Sequence, residues 1–121
     1  MNWTSFLQVA LGGAAGSVLR YAATLGMARV VPGFPLGTML VNIAGSFVMG
    51  MLAMSIAAHL RPLLLTGLLG GFTTFSAFSL ETLTLWEEGR ALSAAGYVAG
   101  SLILSLLAVL AGATLARSMM S

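Results

Sequence analysis

From Gly70 to Ser79 the chain reads Gly-Gly-Phe-Thr-Thr-Phe-Ser-Ala-Phe-Ser, inside a stretch without charge from Leu63 to Leu80. Paired glycines, hydroxyls and the phenylalanines Phe75 and Phe78 make a poor simple helix. Glycine alone costs about 1 kcal/mol against alanine in a helix interior. This composition predicts a helix that breaks in mid-membrane. Broken backbone survives at that depth only inside protein or beside a water-filled path, and such breaks mark ion and substrate sites.

Two polar stripes flank this segment. Thr38, Asn42 and Ser46 recur every four residues, so they share one helical face. Ser93, Tyr97, Ser101 and Ser105 do the same further on. An isolated serine can bond its own helix backbone at little cost. Asn42 is harder to dismiss, because a primary amide has two donor hydrogens and an acceptor to satisfy. Polar groups in membranes face interiors or cavities, so two stripes beside a broken helix predict a polar conduit.

The groups available are mostly donors. No Asp or Lys exists in the chain, and the acid nearest a span interior is Glu81. Cation paths usually display carboxylates. Here there are hydroxyls, an amide, and Arg20 near one mouth. An aromatic ring is negative on its face and positive at its edge. Edges of Phe75 and Phe78 together with these donors suit a small, strongly hydrated anion. Taken alone, the Phe pair is equally well explained by ordinary packing.

The elements that must position these residues follow from composition. The chain has 121 residues, 59% hydrophobic and 7% charged, with mean hydropathy +1.02. A soluble domain carries about a quarter charged residues, so a lipid bilayer is the expected solvent. A span needs about 20 apolar residues. Charges and turns divide the chain into four spans, at residues 4–28, 36–58, 63–86 and 91–117, which form one transmembrane domain. Trp3 would anchor the first at the interface. Val31-Pro32-Gly33-Phe34-Pro35 is a turn, and Pro62 suits a first helical turn. The fold class is therefore an all-α membrane protein of four helices, the third broken.

Other classes are excluded. There is no cysteine, hence no disulfide or thiolate metal site. The five arginines are scattered without a basic patch, so no nucleic acid is expected as a partner. Met1–Ser5 lacks a positive n-region, so no cleaved leader is expected. With one histidine, His59 in a loop, and no nucleophile–base pair on a shared face, an enzyme is not expected. No phosphate-binding loop suggests ATP coupling.

Orientation is weakly specified. The N-terminal side would hold Arg61 and Arg117; the opposite side holds Arg29, Arg90 and, by snorkelling, Arg20. A near tie in cationic residues fits insertion in both orientations, or a single weakly encoded one. Gly12/Gly16 and Gly96/Gly100 are G-x-x-x-G motifs that let helices approach closely. They would serve a twofold dimer or packing within one subunit.

Three segments in order, Gly12-Gly13-Ala14-Ala15-Gly16-Ser17-Val18-Leu19-Arg20-Tyr21, Gly37–Phe47 and Gly70–Phe78, resemble the signature motifs of the Fluc (CrcB) fluoride channels. The likeness covers essentially the whole chain. The resemblance implies passive fluoride export by an antiparallel, dual-topology homodimer with two pores in a bacterial-type inner (cytoplasmic) membrane. It further implies that Phe75 and Phe78 present ring edges to fluoride, and that Asn42 donates its amide. Ser76, Tyr97, Ser101 and Ser105, with Thr38, would add hydroxyls. Glu81 would sit near a mouth and Arg20 in a vestibule. Carbonyls of Gly70 and Thr73 would hold a structural sodium ion on the dimer axis. That is chemically sensible, since hard cations favour oxygen ligands. One departure is Ala77, where the family often has a hydroxyl.

Three competing readings stand beside this one. A transporter of the small multidrug resistance type needs a carboxylate in its first span, where this chain has Arg20. A proton-coupled exchanger would use Glu81. A non-transporting membrane assembly subunit would use none of these groups.

Overall fold

The computed structural model describes residues 2–120, and apart from turns and the break these are helical. Helix α1 spans Trp3–Val30, α2 Leu36–Ser55, α3 the single turn Gly70–Phe72, α4 Ser76–Glu87 and α5 Ala91–Met120. A short 3-10 turn, Ala58–Leu60, and a π-helical segment, Pro62–Leu69, lead into α3. Among the described residues three stretches are long and apolar enough to cross a membrane: Leu36–Ser55, Ala58–Glu87 and Ala91–Met120. Helix α1 is 28 residues long, about 42 Å at 1.5 Å per residue. It has the length of a span but falls short of that apolarity, because Gln8, Arg20 and its small polar residues dilute it.

Local chemistry sets the ends. Asn2 caps α1, its Oδ1 accepting from the Thr4 amide at 3.0 Å. That supplies an acceptor to one of the orphan amides of a helix start. The second span was expected to reach residue 58. It stops at Ser55, where Ile56 turns extended (ψ 145). Arg61 Nη2 reaches back to the Ala53 carbonyl at 2.7 Å and satisfies part of that helix end. The last helix runs past the expected residue 117 to Met120.

Successive turns lie at opposite ends of the bundle. At one end Gln8 Nε2 donates to the His59 carbonyl at 3.3 Å. At the other, Arg90 Nη1 donates to the Gly33 carbonyl and also lies 3.6 Å from Glu88 Oε1. Gly33 (φ 86) and Gly89 (φ 77) take the left-handed conformation these two turns need.

Helix packing rests on backbone contact. α2 lies along α5, and α1 lies along residues 62–72. A Cβ at Gly12 would strike Leu63 O and Leu68 N, and one at Gly16 would strike Leu68 O and Phe72 N. The first G-x-x-x-G motif therefore seats α1 on the third span within the subunit. The second motif is not used this way: a Cβ at Gly96 would meet nothing within 4 Å. The α2–α5 contact instead uses two glycines that form no such motif. Gly50 abuts Val109 O, and Gly112 abuts Phe47 O.

These contacts set different costs. Gly112→Ala is expected to destabilise the protein by roughly 1–3 kcal/mol through overpacking, whereas Gly96→Ala should cost nothing and can gain from helix propensity. Denaturant unfolding of the purified protein in detergent measures both. Equal losses would mean that the α2–α5 approach is not rigid.

Candidate functional site

Residues 73–75 interrupt the third span. Thr73 is extended (φ −92, ψ 160), and α4 begins at Ser76. Every hydrogen bond lost there needs a replacement, since an unsatisfied backbone group in a lipid-like interior costs several kcal/mol. Asn42 on α2 supplies two. Its Oδ1 accepts from the Thr74 amide at 2.8 Å, and its Nδ2 donates to the Thr74 carbonyl at 2.9 Å. Arg20 supplies another from α1, its Nε donating to the Gly71 carbonyl at 3.1 Å. Thr74 Oγ1 then accepts from the Ala77 amide at 3.1 Å and caps the start of α4.

Several carbonyls lose their usual helical donors by this arrangement, Gly70 O and Thr73 O among them. In an unbroken helix Gly70 O would accept from the Thr74 amide and Thr73 O from the Ala77 amide. Those amides turn to Asn42 Oδ1 and Thr74 Oγ1 instead. Gly70 is also exposed. The pair supplies hard oxygen donors of the kind a small cation takes. Among the described residues no group of three or more His, Asp or Glu could hold a metal ion.

Beside the break lies a cleft of about 490 Å³ between α2, the broken span and α5. It brings together Asn42, Gly70, Thr73, Phe75, Phe78, Ser101 and Ser105 of the expected residues, with Ser46 of the first stripe. The Phe75 and Phe78 rings are 5.5 Å apart at 53°. Phe75 is 72% exposed and Phe78 7%. The cleft contains no carboxylate.

One of its hydroxyls differs from most others in the chain, including that of Thr73 in the same lining, which donates to Leu69 O. Ser79, Thr82 and Thr84 all bond the carbonyl four residues back in their own helix, so they have no donor left to offer. Ser101 Oγ is buried and makes no hydrogen bond in the structure. Leaving such a hydroxyl unpaired costs about 1–3 kcal/mol. A group at that cost, bordering the cleft, is suited to a ligand. Asn42 likewise keeps one of its two amide hydrogens after bonding Thr74.

Five expected residues lie outside the cleft lining. Thr38 and Tyr97 are almost fully buried and donate to one carboxylate, Thr38 Oγ1 to Glu81 Oε2 and Tyr97 to Glu81 Oε1, each at 3.0 Å. Glu81 is thus the hub of a polar knot next to the cleft, joined to it where the Tyr97 ring meets that of Phe78, tilted at 48° with centroids 5.1 Å apart. Ser76 is exposed and lies 3.4 Å from Thr74 Oγ1. Arg20 holds the far side of the break. Sequence reasoning also missed residues that matter. Thr74, two residues before α4, was readable as a hydroxyl able to accept from an amide of that helix's first turn. Gly45 was not: a Cβ there would strike the Thr73 methyl, and only the fold shows that approach. Met49, Leu102, Leu106 and Val109 give the cleft an apolar wall that resembles lipid-facing surface in the sequence.

Comparison with known proteins bears on what this arrangement serves. The model of the family described as "CrcB-like protein, Camphor Resistance (CrcB)" matches residues 7–113. A protein of Paracoccus denitrificans named "Fluoride-specific ion channel FluC" is 59% identical over 119 residues, covering 95% of this chain and 96% of its own length. This chain belongs to the CrcB family. Relatives of the same name from Cereibacter sphaeroides and Rhizobium meliloti are 51% and 49% identical, each covering more than nine-tenths of both chains. The break and its Asn42 clamp are thus seen in a CrcB chain matched along nearly its full length.

The clamp has a direct readout. Asn42→Ala removes both bonds to Thr74, so amide exchange at Thr74 and Ala77 should accelerate by at least about tenfold, or about 1.4 kcal/mol of lost protection. Unchanged exchange at both amides would show that the break holds itself open.

Proposed function

We propose that the protein is a passive fluoride channel and not an enzyme. The observation that carries this is the composition of the cleft. An amide hydrogen, an unpaired buried hydroxyl and two phenyl rings converge there without any carboxylate. The relatives named fluoride-specific ion channel point to the same ion.

The mechanism follows from substitution of hydration. Fluoride leaves water, and the Asn42 N–H, the Ser101 and Ser105 hydroxyls and the ring edges of Phe75 and Phe78 replace part of its shell. Conduction needs sites strong enough to admit an ion and weak enough to release it. Neutral donors meet that condition better than a guanidinium in the path would. Larger halides accept weaker hydrogen bonds and fit less well, so they are excluded. Ala77 in place of a hydroxyl leaves this side of the track with one donor fewer, and Ser76 lies on the exposed side of the same turn.

The finer reading concerns assembly. Phe75 and Gly70 are exposed on the subunit, and a second copy in the opposite orientation would cover them. Such an antiparallel homodimer has two pores and agrees with the near tie of arginines on the two sides. Helix α1 is then the fourth span, its polar residues turned to protein and its ends to the interface. Gly70 and Thr73 carbonyls from both copies would supply four oxygens for a structural sodium ion, whose charge would also stabilise the broken backbone. The membrane is the bacterial inner membrane, crossed in both directions by otherwise identical chains.

The Glu81 knot argues against proton coupling. Both carboxylate oxygens accept hydroxyl bonds, whereas a coupling carboxylate must alternate between charged and neutral forms. A multidrug-type transporter would need an acid on α1, and that helix has none.

Fluoride efflux from liposomes, read with a fluoride electrode, tests the proposal. The wild type should empty vesicles of fluoride and leave chloride inside. Phe75→Ile and Phe78→Ile should each slow efflux by about tenfold or more, equivalent to about 1.4 kcal/mol on the barrier; full rates in both would remove the aromatic role. Glu81→Gln should keep fluoride uncoupled from proton movement. An efflux no faster than empty vesicles would leave the assembly-subunit reading. Replacing sodium by choline should lower the unfolding temperature of the dimer, and an unchanged temperature would exclude the structural ion.

A further inference from the structure

We infer that Phe34, in the turn between α1 and α2, is a positioning residue for the phenol of Tyr97. This inference rests on the fluoride-channel reading and adds a residue to its machinery.

Phe34 comes from a turn with no polar side chain to recommend it. Its ring meets Tyr97 edge-on, with centroids 5.6 Å apart and planes at 84°. Tyr97 meets Phe78 on its other side at 5.1 Å. The tyrosine ring is therefore gripped between two aromatic neighbours and is 0% exposed. Edge-to-face pairs of this kind contribute about 0.5–1.5 kcal/mol beyond their buried area. With its ring held by these neighbours, the Tyr97 hydroxyl donates to Glu81 Oε1 at 3.0 Å.

The outer end of this ring chain is anchored independently. Arg90, just before α5, donates to the carbonyl of Gly33, the residue before Phe34, and pairs with Glu88. The Leu36 amide closes the turn from the other side, donating to Phe34 O at 2.8 Å. Both turns at this end are thus tied together at Gly33, next to the residue that carries the ring. The tie is made across 57 residues of sequence, so it fixes α5 against the start of α2 at the level of the Thr38–Glu81–Tyr97 knot. Removal of the Phe34 ring leaves Tyr97 packed on one side only. Its hydroxyl then leaves Glu81, and that carboxylate turns toward the cleft, where an anion would meet it.

The test is a double-mutant cycle on fluoride efflux from liposomes, using the full-length protein. Phe34→Ala should slow efflux by about tenfold, and Phe34→Tyr, which keeps the ring, should restore most of the rate. In the Tyr97→Phe background, which lacks the hydroxyl, Phe34→Ala should cost less than about twofold further. Equal fold-losses in the two backgrounds would overturn the inference, as would full efflux from Phe34→Ala. If Phe34→Ala does not yield folded protein by size-exclusion chromatography, Phe34→Leu in both backgrounds is read by the same criterion. A wild type without fluoride efflux would instead refute the channel reading itself.

Discussion

The two bonds between Asn42 and Thr74 are the constraint on which the site depends. A helix broken in a low-dielectric interior has to place each freed amide and carbonyl or lose several kcal/mol for each. Asn42 takes both polar groups of the residue at the break. Arg20 takes the Gly71 carbonyl from the opposite side, and Thr74 turns its hydroxyl to the amide of Ala77. The break is therefore a set of exchanged partners rather than a gap. What remains after the exchange includes carbonyls at Gly70 and Thr73, one amide hydrogen on Asn42, and a cleft beside them.

Charge placement explains why this cleft suits an anion. The charged side chains flanking it are Glu81 and Arg20, and both already have partners. Glu81 accepts from Thr38 and Tyr97, and it is not part of the lining. Arg20 spends its Nε on backbone. The cleft is left with neutral donors and aromatic rings. A full positive charge in the path would hold an anion too tightly to pass it on, whereas a carboxylate would repel it. Thus the same hydrogen bonds that engage the half-buried Glu81 and Arg20 side chains also keep the cleft neutral.

Much of this was legible in the sequence, and unevenly so. The break was readable because Gly70-Gly71 and the Thr-Thr pair contradict a continuous apolar helix on propensity alone. Asn42 stood out because an amide at that depth must find partners. The roles of Thr38 and Tyr97 were not readable. Their spacing puts them on the stripes of Asn42 and Ser101, yet the fold turns both hydroxyls to Glu81, and nothing local encodes a contact across 43 or 16 residues. The π-helical run Pro62–Leu69 was invisible for a similar reason. Its residues are ordinary helix formers, and the distortion goes with Gly12, Gly13 and Gly67 bringing two backbones into contact. The helix-packing glycines were half legible: Gly12 and Gly16 have the expected spacing, whereas Gly50 and Gly112 act as single knuckles from two helices.

Those backbone contacts bear on selectivity. α1 touches the third span through glycines at Gly12 and Gly16, and α2 touches α5 through Gly50 and Gly112. A helix pair in backbone contact has no side-chain layer between its members that could repack to change their spacing. Asn42 on α2 and Ser101 on α5 thus stand on helices whose separation is fixed by main-chain atoms. Donors held on such a frame cannot close around a smaller ion or open for a larger one at low cost. An ion that bonds strongly at that spacing gains from the frame's rigidity, because the donors need little reorganisation to receive it. An ion of different radius meets the same donors at the wrong distance and keeps less of what it lost in leaving water.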